Sequence, residues 1–238
     1  MRTARWRSGA KLSSSRQAQL PLAGAGVAFA IALVLAATGE SRVSIWFAAA
    51  AVLVAAVVWL EAGPDSAKEV TLVATLAGAA AAGRVLFAAV PGVQPVTIFA
   101  LVAGAALGVR AGVGVGMLAA FASNFFLAQG PWTPYQMLAW GGCGALGALL
   151  ARLLRRRVAL AVAGFALGLA FSAFMDVWEW FAFWPHDWTA FSLVLGRGFP
   201  FDVAHAVGNV VLALAVGPEL RRLLERYGRR LHAEVVWT

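Results

Sequence analysis

Five polar side chains stand in otherwise apolar surroundings: Arg84, Gln94, Asn124, Gln129 and Gln136. A guanidinium and side-chain amides offer hydrogen-bond donors and acceptors but no nucleophile. The chemistry they fit is recognition of an anionic or carbonyl-bearing ligand. Polar groups inside a bilayer are costly, which makes them functional candidates by default. For Arg84 a second reading stays open, a carbonyl contact or ion pair within the bundle, or snorkelling to the interface. Trp132 and Trp140 stand beside Asn124 and Gln136 and can add an aromatic wall; as single tryptophans they also fit an interfacial belt. Trp178, Trp180, Trp184 and Trp188 are denser than a belt needs and suggest a platform or lid over a large flat ligand.

Asp176, Glu179 and Trp180 share one helical face, and Asp202, His205 and Asn209 repeat that spacing. Carboxylates with a histidine can hold a metal or move protons. The sequence has no H-E-x-x-H, no cysteine cluster and no nucleophile elbow. These residues are therefore read as ligand hydrogen bonds or helix contacts, and no catalytic residue or metal ligand is assigned. Cys143, the single cysteine, is read as a small packing residue.

The elements that position these groups follow from composition. The 238 residues are 61% hydrophobic and 13% charged. A soluble domain averages about 25% charged residues, so lipid is the solvent here. The net charge of +8 reflects orientation in a membrane rather than nucleic-acid binding, since the basic residues cluster at the ends of apolar runs. The predicted fold is an all-α integral membrane bundle of about eight spans of lipid-crossing type. The runs are 18–38, 43–60, 70–90, 96–107, 111–127, 135–150, 158–175 and 201–216. The seventh can continue as an interfacial helix to Trp184. A turn is expected at 108–110, a loop over 185–199 and a basic tail after Pro218.

Placing both termini in the cytoplasm puts nearly all of the 19 basic residues inside. Only Arg42 and Arg197 then fall outside, and Arg84 lies within a span. That asymmetry fixes the orientation of a multi-pass protein of the cell membrane. It also gathers the connections 91–95, 129–134 and 185–199 on the outer face, above Arg84. Small residues recur at four-residue spacing, as Gly104–Gly108–Gly112–Gly116, Gly164–Gly168, Ala74–Gly78–Ala82 and Ala77–Ala81. Such spacing lets helices approach closely. No G-x-x-x-x-G-K-[ST] is present, so if the chain drives transport the energy comes from another subunit or an ion gradient.

The order Arg84, Val93-Gln-Pro95, Gly108-x-Arg-Ala-Gly112, Ser123-Asn-Phe-Phe126, Gly130-Pro-Trp-Thr-Pro134-x-Gln-Met and Ala139-Trp-Gly141 resembles the substrate-binding S component of energy-coupling factor (ECF) vitamin transporters. The likeness covers 68–230, with Met175-x-x-Trp178 and Phe201-Asp202…Gly208-Asn209 also fitting. It implies a six-helix core at 68–238, preceded at 1–67 by a basic tail and two additional spans. It implies capture of a vitamin-like molecule at the outer face by Arg84, Gln94, Asn124, Trp132, Gln136, Trp140, Asp176, Trp180, His205 and Asn209. The two preceding spans match a subgroup associated with corrinoid uptake, so a cobalamin-like ligand is the one implied, although the tryptophans suit riboflavin-like rings equally. The partners implied are a transmembrane coupling protein and two ATPases, reached by toppling in the bilayer. Ala77 and Ala81 match the family's docking motif. No cofactor is expected on this chain. Two other classes stay open: an intramembrane enzyme acting on a lipid or isoprenoid through Asp176, Glu179 and His205, and a ligand-free membrane scaffold.

Overall fold

Backbone amides in lipid have no water to bond, so long apolar runs fold as helices. The computed structural model describes residues 4–8, 30, 31, 34, 51, 54, 67–231 and 233–237. Apart from isolated positions, the two expected N-terminal spans lie outside the described residues. The described elements are β1 (Ala4–Ser8), α1 (Ala67–Leu86), α2 (Val96–Leu107), α3 (Val109–Leu127), α4 (Thr133–Leu149), α5 (Arg157–Phe183), α6 (Trp188–Ala215), α7 (Gly217–Leu231) and β2 (Ala233–Trp237). The strands pair antiparallel; every other described element is helical or a connecting turn.

Four segments, Lys68–Ala89, Val109–Leu127, Arg157–Phe183 and Trp188–Ala215, are long and apolar enough to cross a membrane. The chain is thus a helical, membrane-associated protein. α2 has 12 residues, short of the roughly 20 that a crossing takes. It is instead the buried centre. Its residues Val96, Ile98, Ala100, Leu101, Val102 and Ala103 are at most 1% exposed. α1, α3 and α4 pack around it, while the α5–α6 hairpin leans on its other side.

Breaks occur where the backbone needs special residues. Gly92 (φ 76°) and Gly108 (φ 99°) take left-handed conformations that glycine adopts without strain. Gly108 alone makes the turn expected over 108–110, because Val109 and Arg110 already begin α3. Pro134 sits in the first turn of α4, where its missing N–H has no helical partner to lose.

The small-residue spacing of α2, α3 and α4 has a structural cause. A Cβ added at Gly104 would lie 1.9 Å from the Gly144 carbonyl oxygen, and one at Gly144 would lie 2.1 Å from the Gly112 carbonyl carbon. One at Gly116 would lie 2.3 Å from the Trp140 oxygen, and one at Gly147 2.1 Å from the Leu101 oxygen. Three backbones meet where no side chain fits. Gly168 serves the α5–α6 contact likewise, facing the Ala206 Cα at 2.7 Å.

Three expectations change. The loop predicted at 185–199 is only a short turn, since α6 begins at Trp188. The Asp187 carboxylate accepts from the Ala190 amide at 2.8 Å and starts the helix. Pro200 stays inside α6, as membrane helices tolerate when neighbouring groups satisfy the freed backbone. The basic tail is the amphipathic helix α7. Its Leu220 and Leu224 enter the same core cluster as Leu101 of α2 while Arg222, Arg226 and Arg229 stay exposed. Finally, Ala77 and Ala81 are 3% and 6% exposed, with Ala77 packed in a cluster that includes Ala119 and Ala120 of α3. They face inward because α1 presents Ala74, Gly78 and Ala82 outward. Both alanines are thus covered within this chain rather than presented as an exposed stripe.

Candidate functional site

Arg84 lies in the last turn of α1, 7% exposed. Its Nε donates to Gln94 Oε1 at 2.7 Å. Its Nη1 donates to Ser123 Oγ at 2.7 Å and to Asn124 Oδ1 at 2.6 Å. Asn124 Nδ2 then donates to Thr133 Oγ1 and Gln136 Oε1, each at 2.9 Å. The Thr133 hydroxyl donates to Gln129 Oε1 at 2.9 Å, and Gln129 Nε2 donates to the Phe121 carbonyl at 3.0 Å. Ser123 donates to the Ala119 carbonyl one turn back at 2.7 Å. The network ties together the ends of α1, α3 and α4 and the 91–95 connection.

A second branch runs through Trp140. The Arg84 guanidinium carbon lies 4.8 Å from the centre of its indole, within cation–π range. Trp140 stacks on Phe171 at 4.2 Å and donates from Nε1 to Thr97 Oγ1 at 3.0 Å. Thr97 Oγ1 and Asn209 Nδ2 each lie 3.3 Å from His205 Nε2. His205 Nδ1 lies 2.7 Å from the Gly92 carbonyl oxygen. That oxygen can only accept, which assigns the proton to Nδ1 and leaves Nε2 to accept from Thr97 and Asn209. A Cβ at Gly92 would lie 2.6 Å from the Phe201 oxygen, so the 91–95 connection presses directly on α6.

Apart from Ser172 and Arg221, every buried polar side chain among the described residues belongs to these two branches. Most buried polar residues thus gather around one guanidinium, while buried polar atoms of Asp176, Trp178 and Arg221 lie elsewhere. The partners of Arg84 are all neutral. The ion pairs among the described residues join Arg197 to Glu179, Arg221 to Glu225 and Arg222 to Glu219, and none involves Arg84.

The expected residues divide accordingly. Arg84, Gln94, Asn124 and Gln136 form one branch, and Trp140, His205 and Asn209 the other. Trp132 is separate from the hydrogen-bonded network; it packs with Tyr135 and Trp178 at the α4–α5 contact. Asp176 lies against Asp202 and Gly198 of α6. Trp180 donates to the Pro185 carbonyl at 2.9 Å and packs on Phe181 and Phe191.

The four expected platform tryptophans do not share a face. Trp178 is buried beside Tyr135, Trp184 packs near Arg197, and Trp188 is 82% exposed. Successive helical residues point about 100° apart, and the turn after Phe183 separates the rest. Glu179 accepts from Trp184 and Arg197, while His205 belongs to the Trp140 branch. Among the described residues no group of three or more His, Cys, Asp or Glu side chains is placed to hold a metal ion.

Ser123, Thr133 and Thr97 complete the network; Ser123 and Thr133 stand within the motifs that carry the resemblance, yet none of the three was expected among the binding residues. A hydroxyl in an apolar helix commonly bonds its own backbone, as Ser123 also does, so residue type carries little signal.

A family model described as a family of unknown function, DUF6580, matches residues 64–220. No curated protein and no solved structure matches the chain.

Proposed function

We propose that this chain, which belongs to the DUF6580 family, is a membrane-embedded small-molecule-binding protein whose ligand offers an anionic or carbonyl oxygen to Arg84. The observation that supports this is a buried guanidinium with no acid beside it. Removing a cation from water costs several kcal/mol, and neutral oxygens repay only part of that. Arg84 uses Nε and Nη1 on protein partners, and among the described residues Nη2 makes no hydrogen bond. A ligand oxygen at Nη2 supplies the missing charge-assisted contact.

On the resemblance given above, the ligand is vitamin-like, with a corrinoid as the leading candidate. The chain then acts as the S component of an ATP-driven importer with cytoplasmic termini, handing its ligand to a coupling protein with two ATPases. In that role the exposed small face of α1, at Ala74, Gly78 and Ala82, replaces Ala77 and Ala81 as the surface a partner helix meets. The experiment is mass spectrometry of solvent extracts from the purified full chain, followed by uptake of the identified compound in cells with and without ATP depletion. A vitamin-like molecule in the extract with ATP-dependent uptake is the expected result. An extract without any such molecule, together with no binding across a vitamin panel, favours the scaffold reading. Conversion of a lipid by the purified chain favours the enzyme.

A further inference from the structure

At the end of the bundle away from Arg84, arginines converge on an open cleft of about 310 Å³. Arg155, Arg157, Arg221 and Arg222 line it, with Glu225 as the one lining acid. Arg221 is 7% exposed although it carries a full charge. Its Nε donates to Glu225 Oε1 at 2.8 Å and its Nη2 to the Ala151 carbonyl at 2.8 Å. Its Nη1 is buried with no partner. Two contacts therefore hold the guanidinium in place while a third nitrogen remains unused.

The backbone adds to this field. α5 starts at Arg157 and α7 at Gly217, and the cleft is lined at both starts by Arg157 and Pro218. The α5 N-cap residue Arg156 provides no side-chain cap. Helix N-termini carry unsatisfied N–H groups and partial positive charge, which favours anions. Glu219 accepts from Arg222 at 2.5 Å, yet even with both acids counted the arginines outnumber them. Leu154, Leu160 and Pro218 supply the apolar part of the lining.

We propose that this cleft binds a phosphate group, either the headgroup phosphate of an anionic phospholipid or a soluble phosphate of the same chemistry. Tetrahedral oxygens suit the converging guanidiniums, and basic pockets among membrane helices on the positively charged side bind such headgroups. The proposal is independent of the Arg84 site.

The test uses the full chain in a neutral detergent, titrated calorimetrically with dihexanoyl-phosphatidylglycerol, dihexanoyl-phosphatidylcholine and inorganic phosphate. Saturable binding of phosphatidylglycerol or phosphate is expected. Arg155→Gln with Arg157→Gln should weaken it by about tenfold or more, with near-ultraviolet circular dichroism unchanged. Both residues are exposed, and the one bond lost is the surface donation from Arg157 Nη2 to the Leu214 carbonyl at 3.0 Å, so this pair carries less folding risk than Arg221→Gln. Arg226→Gln with Arg229→Gln removes the same charge from the adjoining groove, which shares only Arg222 and Glu225 with the cleft, and should cost clearly less affinity than the cleft pair. Phosphatidylglycerol binding much more tightly than phosphate identifies a lipid source; equal affinity identifies a soluble one. The proposal is overturned if neither probe saturates, if phosphatidylcholine binds as tightly as phosphatidylglycerol, or if the control pair loses as much affinity as the cleft pair.

Discussion

Arg84 sets the orientation of its neighbours. A guanidinium only donates, so Gln94 and Asn124 must turn their amide oxygens toward it, and Asn124 is left with its Nδ2 facing Thr133 and Gln136. Asn124 is therefore the relay between Arg84 and α4. Asn124→Leu keeps the volume but takes one of the two acceptors from Arg84 Nη1, which retains Ser123, and leaves the Gln136 oxygen without its donor. Each unsatisfied buried group costs about 1–3 kcal/mol. The variant should lose roughly that much stability for each stranded group, measured by thermal unfolding in detergent, and should bind ligand about tenfold or more weakly. Gln129→Ala, at the exposed end of the same chain of bonds, should cost less than about 1 kcal/mol because water replaces its partner. Equal losses for the two would mean that the network does not run through Asn124.

Arg84, Asn124 and Gln136 were legible in the sequence because a charged or amide side chain in an apolar run has few structural excuses. Thr97 and His205 were harder. Their contact joins residues 108 positions apart, and only the fold shows that α2 is central enough to carry it. Asp176 and Trp180 had suitable types and spacing, but spacing along one helix does not say which neighbour it meets. α6 meets Asp176, and the turn after Phe183 meets Trp180.

At the scale of elements, glycine decides how α2, α3 and α4 pack. Gly144 and Gly142 lie two residues apart in α4 and offer a direct contrast. A Cβ at Gly144 meets the Gly112 backbone, whereas one at Gly142 meets nothing within 4 Å. Gly144→Ala should destabilise by about 1–3 kcal/mol or more, since backbone cannot move aside. Gly142→Ala should be neutral or stabilising by up to about 1 kcal/mol through helix propensity. Thermal unfolding of both variants checks this, and similar midpoints would contradict the packing described.

Helix bounds followed closely from hydropathy in α1 to α4, where proline and glycine mark the breaks. They failed at the start of α6. Gly196, Gly198 and Pro200 read as a loop, yet the Asp187 cap and the packing of Val194 and Ala190 hold that stretch helical. The basic tail expected where α7 stands is the other miss. The period is there to be read, since Leu220, Leu223, Leu224, Tyr227 and Leu231 recur at helical spacing among the arginines, but the charge run reads first as a solvated tail.

For the whole molecule, charge asymmetry predicts that the connection at Pro91 and the turn at His186 face outward while Arg152 faces the cytoplasm. Cys143 is buried at 4% exposure, so a single added cysteine can be labelled over a low background. Pro91→Cys and His186→Cys should react with an impermeant maleimide in intact cells, and Arg152→Cys only after permeabilisation. The opposite pattern would invert the protein and place the Arg84 network at the inner face.

Under the proposed function Arg84 contacts a ligand as well as tying α1 to α3 and to the 91–95 connection. The most direct measurement is the amount of co-purified small molecule per chain in wild type and Arg84→Gln, each checked for folding by near-ultraviolet circular dichroism. Glutamine keeps an amide donor and removes the charge. We expect a folded Arg84→Gln chain that retains little or no ligand, with binding weakened by about a hundredfold, as loss of one buried charge-assisted partner implies. A folded Arg84→Gln chain that holds its ligand at the wild-type ratio would contradict the account.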